Sequence, residues 1–287
     1  MSKYGIKQFL LVVFFSFFLC ISCIYAQDTI RILAIGNSFS EDAAESYVDD
    51  LAKADGVKLV IANLYWGGCS LETHWNNVKT NNAGYSYRKI IDGDTTVLDK
   101  KSIFYAVKDE KWDYITFQQV SQYSGRYKTF FPYITNLLQY VRANATNADV
   151  KYGLHRIWAY AANSTHSDYD YYHNNQIEMF DSIVSAYTKV SMQTGIDIII
   201  PSGTAIQNAR TSSIGDNLNR DGYHLSYKLG RYIAACTWYE KMLGRPVIGN
   251  SFYPKGISKE EAKIAQTAAH YAITNPNHVT TMTTSSY

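Results

Sequence analysis

The feature of this sequence that most constrains its fold is an alternation of short apolar runs and helical patterns. The apolar runs have strand length and occur at Ile30–Ile35, Val57–Ala62, Trp112–Gln118, Val150–Trp158 and Asp197–Ile200. Helical patterns follow at Glu41–Ala54, Thr129–Ala143, Tyr171–Thr194 and Ser226–Leu243. Short apolar strands separated by helices predict βαβ units and a mostly parallel sheet covered on both faces. We therefore expect an α/β fold with three α/β/α layers.

One segment, residues 85–100, departs from this alternation. It contains Asp92-Gly93 between two strand-like runs, and this dipeptide is typical of a tight hairpin turn. We predict a β-hairpin inserted into a single domain that spans residues 27–287. The hairpin would either line a cleft or decorate the surface.

The first 26 residues have the features of a secretory signal peptide. Lys3 and Lys7 precede an apolar run, and Ala26 is an acceptable cleavage position. Cys23 offers the alternative of a lipid anchor, which fits less well because Cys20 suits such a signal poorly. No later apolar stretch approaches the roughly 20 residues needed to span a bilayer. We expect an exported protein, periplasmic or extracellular, with no transmembrane span in the mature chain.

Charge and cysteine content exclude several classes of partner. Of the 27 Lys and Arg residues, two lie in the leader, so the mature chain has 25 against 25 Asp and Glu. This balance argues against nucleic acid as the partner.

Cys69 and Cys236 remain after the leader; separate buried thiols are favoured over a disulfide. No Cys/His spacing resembles a zinc site, so we expect neither metal nor cofactor.

Two segments carry residues suited to nucleophilic catalysis. Ser38, in Gly36-Asn37-Ser38, follows the first strand, where open α/β sheets place their ligand sites. Far downstream, Asp221 precedes His224 by three residues. A histidine takes the proton of a serine, and a carboxylate orients that histidine. We predict that Ser38, His224 and Asp221 are nucleophile, base and orienting acid.

Acyl transfer also needs hydrogen-bond donors for the oxyanion. Gly68 follows the second strand, where glycine lets a backbone N–H approach a substrate closely. We expect a third donor, a side-chain amide, in the segment Gln118–Gln122 that follows the third strand. Trp66 and Trp158 are candidate platforms for a sugar ring, with core packing as the alternative for Trp158.

These segments together resemble the SGNH (GDSL-like) hydrolase family and, more narrowly, the DUF4886 group of exported bacterial proteins. The resemblance spans Ile30 to Leu243 and implies a flavodoxin-like architecture. It implies an esterase that uses no cofactor and cleaves acyl esters, acetyl being the simplest, of carbohydrates. The substrate would be a small-molecule or glycan ester.

The chain departs from the family at two positions. The family's Asp before the nucleophile is Asn37 here, which should leave the serine in place. The family's oxyanion Asn is absent, and ungapped counting puts Gln122 at its position. Carbohydrate esterases that resemble this family use a Gln at the strand end, which favours Gln119.

The missing Asn also motivates an alternative hypothesis, a non-catalytic glycan-binding protein on the same fold. A third hypothesis is an acyltransferase with the same triad.

Overall fold

The protein, represented by a computed structural model, is described over residues 29–283 and is built on a seven-stranded sheet. The strands are β1 (Ile30–Gly36), β2 (Leu59–Tyr65), β3 (Tyr85–Ile91), β4 (Asp94–Lys101), β5 (Tyr114–Phe117), β6 (Lys151–His155) and β7 (Ile198–Ile200). Their spatial order is β4-β3-β2-β1-β5-β6-β7. The predicted signal peptide, with Cys23, lies outside the described residues.

The sheet is doubly wound, and its strand order reverses at β1. Strand β1 pairs in parallel with β2 on one side and with β5 on the other, and β6 and β7 continue in parallel beyond β5. Ligand sites of such sheets lie outside the carboxyl ends of the strands at the reversal. The prediction of a mostly parallel α/β sheet is confirmed, and the end of β1 is the expected place for a site.

Helices cover the sheet, and their apolar residues form one core with the strands. They are α1 (Ser38–Ser40), α2 (Val48–Ala54), α3 (Leu71–Lys79), α4 (Ile103–Asp109), α5 (Tyr133–Asn144), α6 (Gln176–Thr194), α7 (Ser202–Arg210), α8 (Leu229–Leu243) and α9 (Lys259–Thr274). A π-helix, Glu41–Glu45, connects α1 to the chain before α2. The four helical patterns named above do not cover α3, α4, α7 or α9.

All four predicted helices have different boundaries in the structure, and the last of them, α8, begins at Leu229 rather than Ser226. The pattern from Glu41 to Ala54 is not one helix, because Tyr47 leaves helical geometry at φ −136° and ψ 1°. Helix α5 begins only after Pro132, which has no N–H to continue a preceding turn. Helix α6 begins at Gln176 because the side chain of Asn175 accepts hydrogen bonds from the N–H groups of the first turn.

Strands β3 and β4 form a hairpin at the edge of the sheet. Asp92 and Gly93 both have positive φ, at 53° and 87°, as the tight hairpin turn requires. Because β3 is antiparallel to β2, with Ile91 opposite Val60, the turn lies at the amino-terminal edge of the parallel strands. The hairpin tip is therefore on the edge opposite Ser38 and does not line a cleft there.

Within residues 29–283, no helix is both long and apolar enough to cross a bilayer. Cys69 and Cys236 are both buried and both free thiols.

Candidate active site

Ser38 stands at the carboxyl end of β1, where the strand turns into α1. A side chain at Gly36 would place its Cβ 2.5 Å from Oγ of Ser40, so only glycine fits at the end of the strand. Asn37 then caps the short helix, since its Oδ1 accepts the N–H of Phe39 at 3.0 Å. Ser38 is the first residue of α1, and its N–H is one of the unpaired donors at a helix start.

Asn37 also joins the ends of three neighbouring strands. Its Nδ2 donates to the carbonyl of Cys69, in the turn after β2, at 3.0 Å. Its Oδ1 accepts from Nε2 of Gln118, which follows β5, at 2.6 Å. A carboxylate at this position would have no hydrogen to donate to Cys69. The departure from the family's Asp thus gives the turn one more link and leaves Ser38 at the strand tip.

The structure brings Ser38, His224 and Asp221 together across 186 residues of sequence. Nε2 of His224 lies 2.8 Å from Oγ of Ser38. Nδ1 of His224 lies 2.7 Å from Oδ2 of Asp221. With Asp221 ionised, Nδ1 carries the proton and Nε2 is free to accept one from the serine. This order of contacts is the one that a serine nucleophile and its base require.

Hydrogen bonds hold the Asp221 carboxylate in its charged form. Burial alone would raise its pKa, but the ring and N–H of His224 and the N–H of Tyr223 all bond to it, and together they lower the pKa below the usual value. The two backbone bonds go to Oδ1 at 3.2 and 2.7 Å, which leaves Oδ2 for the imidazole. The negative charge therefore sits beside Nδ1 of the His224 ring.

Trp158 does not line the site as a sugar platform. Its side chain is fully buried, stacked on Phe39 with ring centroids 4.6 Å apart. Its Nε1 donates to the carbonyl of Tyr223, next to His224, at 2.7 Å. The prediction that Trp158 contacts a sugar ring is corrected here, because its side chain is buried against Phe39, next to Ser38, and bonds the backbone of Tyr223, next to His224.

The turn after β2 lies beside the Ser38 segment, as the bond between Asn37 and Cys69 shows. The N–H of Cys69 closes this turn on the carbonyl of Trp66 at 3.1 Å, and Gly68 is exposed with a φ of +66°. Trp66 is half-buried and packs edge-on against Tyr85, with ring centroids 5.2 Å apart. Gly68 and Trp66 thus belong to a turn that is bonded to Asn37, the residue before Ser38.

Gln119 is not available as an oxyanion donor in this structure. Its Oε1 accepts the N–H groups of Leu71 and Val120 at 3.0 and 2.9 Å. Its Nε2 donates to the carbonyl of Thr129 at 3.0 Å. The amide is buried and ties the end of β5 to α3 and to the chain before α5. The prediction for Gln119 is corrected because both ends of its amide serve the fold.

Gln122 is the amide in this segment with a free donor. It is partly exposed, and within residues 29–283 its Nε2 has no hydrogen-bond partner. Its neighbour Ser121 bonds the hydroxyl of Tyr160 at 2.9 Å, and the Tyr160 ring packs near Tyr223. Gln122 therefore lies at the same edge of the sheet as residues 219–226, the segment with Asp221 and His224 that we call the histidine loop.

Two buried histidines near this edge serve the fold. His155 ends β6 and bonds Gln118 through Nδ1 at 2.8 Å and Ser202 through Nε2 at 3.1 Å. His74, on α3, bonds the hydroxyl of Tyr85 at 2.9 Å. Burial lowers the pKa of both to about 3, so both are neutral at physiological pH. His155 extends the Asn37–Gln118 contact into the sheet, a link that no sequence motif indicated.

Two cavities lie among the segments that follow the strands, and one of them is lined in part by Asp221. One, of about 370 Å³, is lined by polar groups that include Asn163, Asn217 and Asp221. The other, of about 390 Å³, follows the turn that contains Gly67 and Gly68, and its lining includes Ser70 and Tyr123. Both lie at the carboxyl edge of the sheet. Within the described residues, no group of three His, Cys, Asp or Glu side chains has the arrangement to hold a metal ion.

Comparison with known proteins identifies the family. The model of a domain of unknown function, DUF4886, matches residues 31–272. The chain belongs to the DUF4886 family. A DUF4886 family protein from Bacteroides uniformis ATCC 8492 has 48% identity and a TM-score of 0.87, over 89% of this chain and 98% of that one. Among curated proteins, none matches the sequence.

A more distant structure shows the fold class of this DUF4886 protein. A protein from Slackia heliotrinireducens assigned to the SGNH hydrolases has 19% identity and a TM-score of 0.51, over 75% of this chain and all of that chain. This likeness shows a shared fold. The membership of the DUF4886 group that the sequence motifs indicated is confirmed, and the resemblance to SGNH hydrolases is confirmed at the level of the fold.

Proposed function

We propose that this DUF4886 protein is an exported serine esterase that hydrolyses acyl esters, most simply acetyl esters, of carbohydrates. The observation that carries the proposal is the continuous chain of hydrogen bonds from Ser38 through His224 to Asp221, at 2.8 and 2.7 Å. The predicted leader supports export, and the family fold supports hydrolase chemistry by analogy.

The proposed reaction follows from the contacts of these three residues. Ser38 Oγ attacks the ester carbonyl while its proton passes to Nε2 of His224, and Asp221 stabilises the imidazolium. His224 then gives the proton to the departing alcohol, leaving an acyl group on Ser38. A water molecule, deprotonated by His224, attacks this acyl-enzyme; the acid leaves as His224 returns the proton to Oγ of Ser38. No metal or cofactor is needed for these steps.

The oxyanion would be held by three donors. The N–H groups of Ser38 and Gly68 are placed at a helix start and in an exposed turn beside the nucleophile. We assign the third donor to Nε2 of Gln122, since the amide of Gln119 is occupied. Gln122 also occupies the position of the family's Asn in an ungapped count.

A carbohydrate alcohol is supported by the chemistry around the triad. The cavity beside Asp221 is lined by amide, hydroxyl and carboxylate groups, which suit a ligand rich in hydroxyls. Trp66, with part of its ring exposed beside Gly67 and Gly68, would contact a sugar face from the other side. Both contacts would orient the ester without taking part in bond making.

The deciding experiment compares the wild-type protein with Ser38→Ala. We expect the wild type to hydrolyse p-nitrophenyl acetate and to release acetate from acetylated glycans, and the variant to do neither. A fluorophosphonate probe should label the wild type and not Ser38→Ala. Equal, background-level hydrolysis by both proteins, together with binding of a glycan, would favour a binding protein. Acetyl transfer to an added acceptor sugar in preference to water would favour an acyltransferase.

A further inference from the structure

The contact between Ser38 and His224 depends on how the loop that carries the histidine is fastened to the segment that carries the serine. Asp42 lies four residues after Ser38, in the π-helix Glu41–Glu45, and is fully buried. Its carboxylate faces the histidine loop rather than its own helix. Oδ2 accepts the N–H of Leu225, the residue after His224, at 2.8 Å.

Two arginines complete the environment of this carboxylate. Nη1 of Arg220 donates to both oxygens of Asp42 at 3.0 and 3.1 Å. Nε of Arg231, on α8, donates to Oδ1 at 2.8 Å. The backbone N–H of the same Arg220 donates to the carbonyl of His224 at 3.0 Å. The peptide group between His224 and Leu225 is therefore held at both its carbonyl and its N–H.

We propose that Asp42 is a positioning residue, which sets the distance between Ser38 and His224 through this clamp of Asp42, Arg220, Arg231 and the Leu225 N–H. The inference rests on the proposed function. A buried ion pair in itself stabilises a fold little, because desolvation offsets the attraction between its charges. The clamp has a further effect because Asp42 accepts the N–H of Leu225, which belongs to the same peptide group as the carbonyl of His224, the proposed base. Misplacing a reacting group by about 1 Å costs up to about 10²-fold in rate.

The test uses two variants at Asp42 and a matched control. Asp42→Asn keeps an acceptor for Leu225 but removes the charge opposite two arginines. Asp42→Ala removes both. Asp49→Asn is the control, since Asp49 is a buried carboxylate in α2, seven residues later, and pairs with Lys53 at 3.0 Å, away from the histidine loop. All proteins are assayed with p-nitrophenyl acetate at a temperature where each is fully folded.

We expect kcat of Asp42→Ala to fall by about 10- to 100-fold with little change in KM. Asp42→Asn should fall less, and Asp49→Asn should match the wild type. The rate at which a fluorophosphonate labels Ser38 should fall in parallel with kcat. A folded Asp42→Ala protein with wild-type kcat, or an equal loss in Asp49→Asn, would overturn the proposal.

A second measurement does not depend on esterase activity. Amide hydrogen exchange at Leu225 should be slow in the wild type and fast in Asp42→Ala, while α8 stays protected. A crystal structure of that variant should show Nε2 of His224 beyond hydrogen-bond distance of Ser38. If the wild type proves inactive, the proposed function fails, and these two readouts still decide the clamp. An unchanged Leu225 amide and an unchanged Ser38–His224 distance would refute it.

Discussion

At the scale of single residues, the most connected position of the site is Asn37. It caps α1, donates to Cys69 after β2 and accepts from Gln118 after β5. Gln118 in turn bonds His155 at the end of β6. The serine that follows Asn37 therefore stands on a turn to which four strand ends are linked. Rigid placement of a nucleophile lowers the entropy lost on reaching the transition state.

The first prediction concerns the two glutamines after β5. Gln122→Ala should lower kcat about 10²- to 10³-fold, the usual effect of losing one oxyanion donor, with no change in Tm. Gln119→Ala should instead lower the free energy of unfolding by about 1–3 kcal/mol, because the buried N–H groups of Leu71 and Val120 lose their acceptor. Ester turnover and thermal unfolding of both variants check this. A Gln122→Ala protein with full kcat would place the third donor elsewhere.

At the scale of elements, the segments after the strands determine the site more than the strands do. The chain after β1 is divided into α1, a π-helix and α2, and this division directs Asp42 toward α8 and the histidine loop. A π-helical turn inside a helical segment often marks a functional site. The last helix, α9, packs against α7 and α8.

The second prediction concerns the start of α9. Ser258 and Glu261 form a capping box: the N–H of Glu261 donates to Oγ of Ser258, and the Glu261 carboxylate accepts the N–H of Ser258. Ser258→Ala should lower the free energy of unfolding by about 1 kcal/mol, within a range of about 0.5–2. Ser258→Asp is the matched control and should remain near wild type, because aspartate also caps. Urea unfolding measures both, and equal stability of Ser258→Ala and wild type would contradict the prediction.

At the scale of the whole molecule, buried neutral histidines link folding to pH. The pKa of His74 and His155 is lowered by burial to about 3 in the folded protein, against an ordinary value of 6.5. Below pH 6.5 the unfolded chain takes up protons that the folded protein does not. The stability associated with the neutral rings is thus present above pH 6.5 and is lost as the pH falls toward 3.

The third prediction follows from that linkage. The free energy of unfolding should decrease between pH 7 and pH 5, with each buried histidine contributing up to about 1.4 kcal/mol per pH unit below 6.5. His74→Gln and His155→Gln should each reduce this slope, even if both are less stable at pH 7. The exposed His173→Gln is the control for replacing a histidine as such. Slopes from urea titrations that are identical in all four proteins would contradict the prediction.

The sequence alone determined the α/β class, the parallel sheet and the place of Ser38 at a strand tip. These features follow from local periodicity: apolar residues in short runs form buried strands, and spaced apolar residues form helices against them. It also singled out the Asp221 and His224 pair, because the two residues lie in one short loop and the motif needs no knowledge of its surroundings.

Only the tertiary structure decided what the other side chains contact. Gln119 and Gln122 are the same residue type in one short segment. The amide of Gln119 nevertheless bonds the backbone of Leu71 and Thr129, while the Nε2 of Gln122 has no partner among the described residues. Trp158 is as apolar as a sugar platform would be, but Phe39 packs on its face and buries it. Asp42 has its partner groups 178 to 189 positions away. Such pairings depend on which surfaces meet when the sheet is assembled, and no local pattern contains that information.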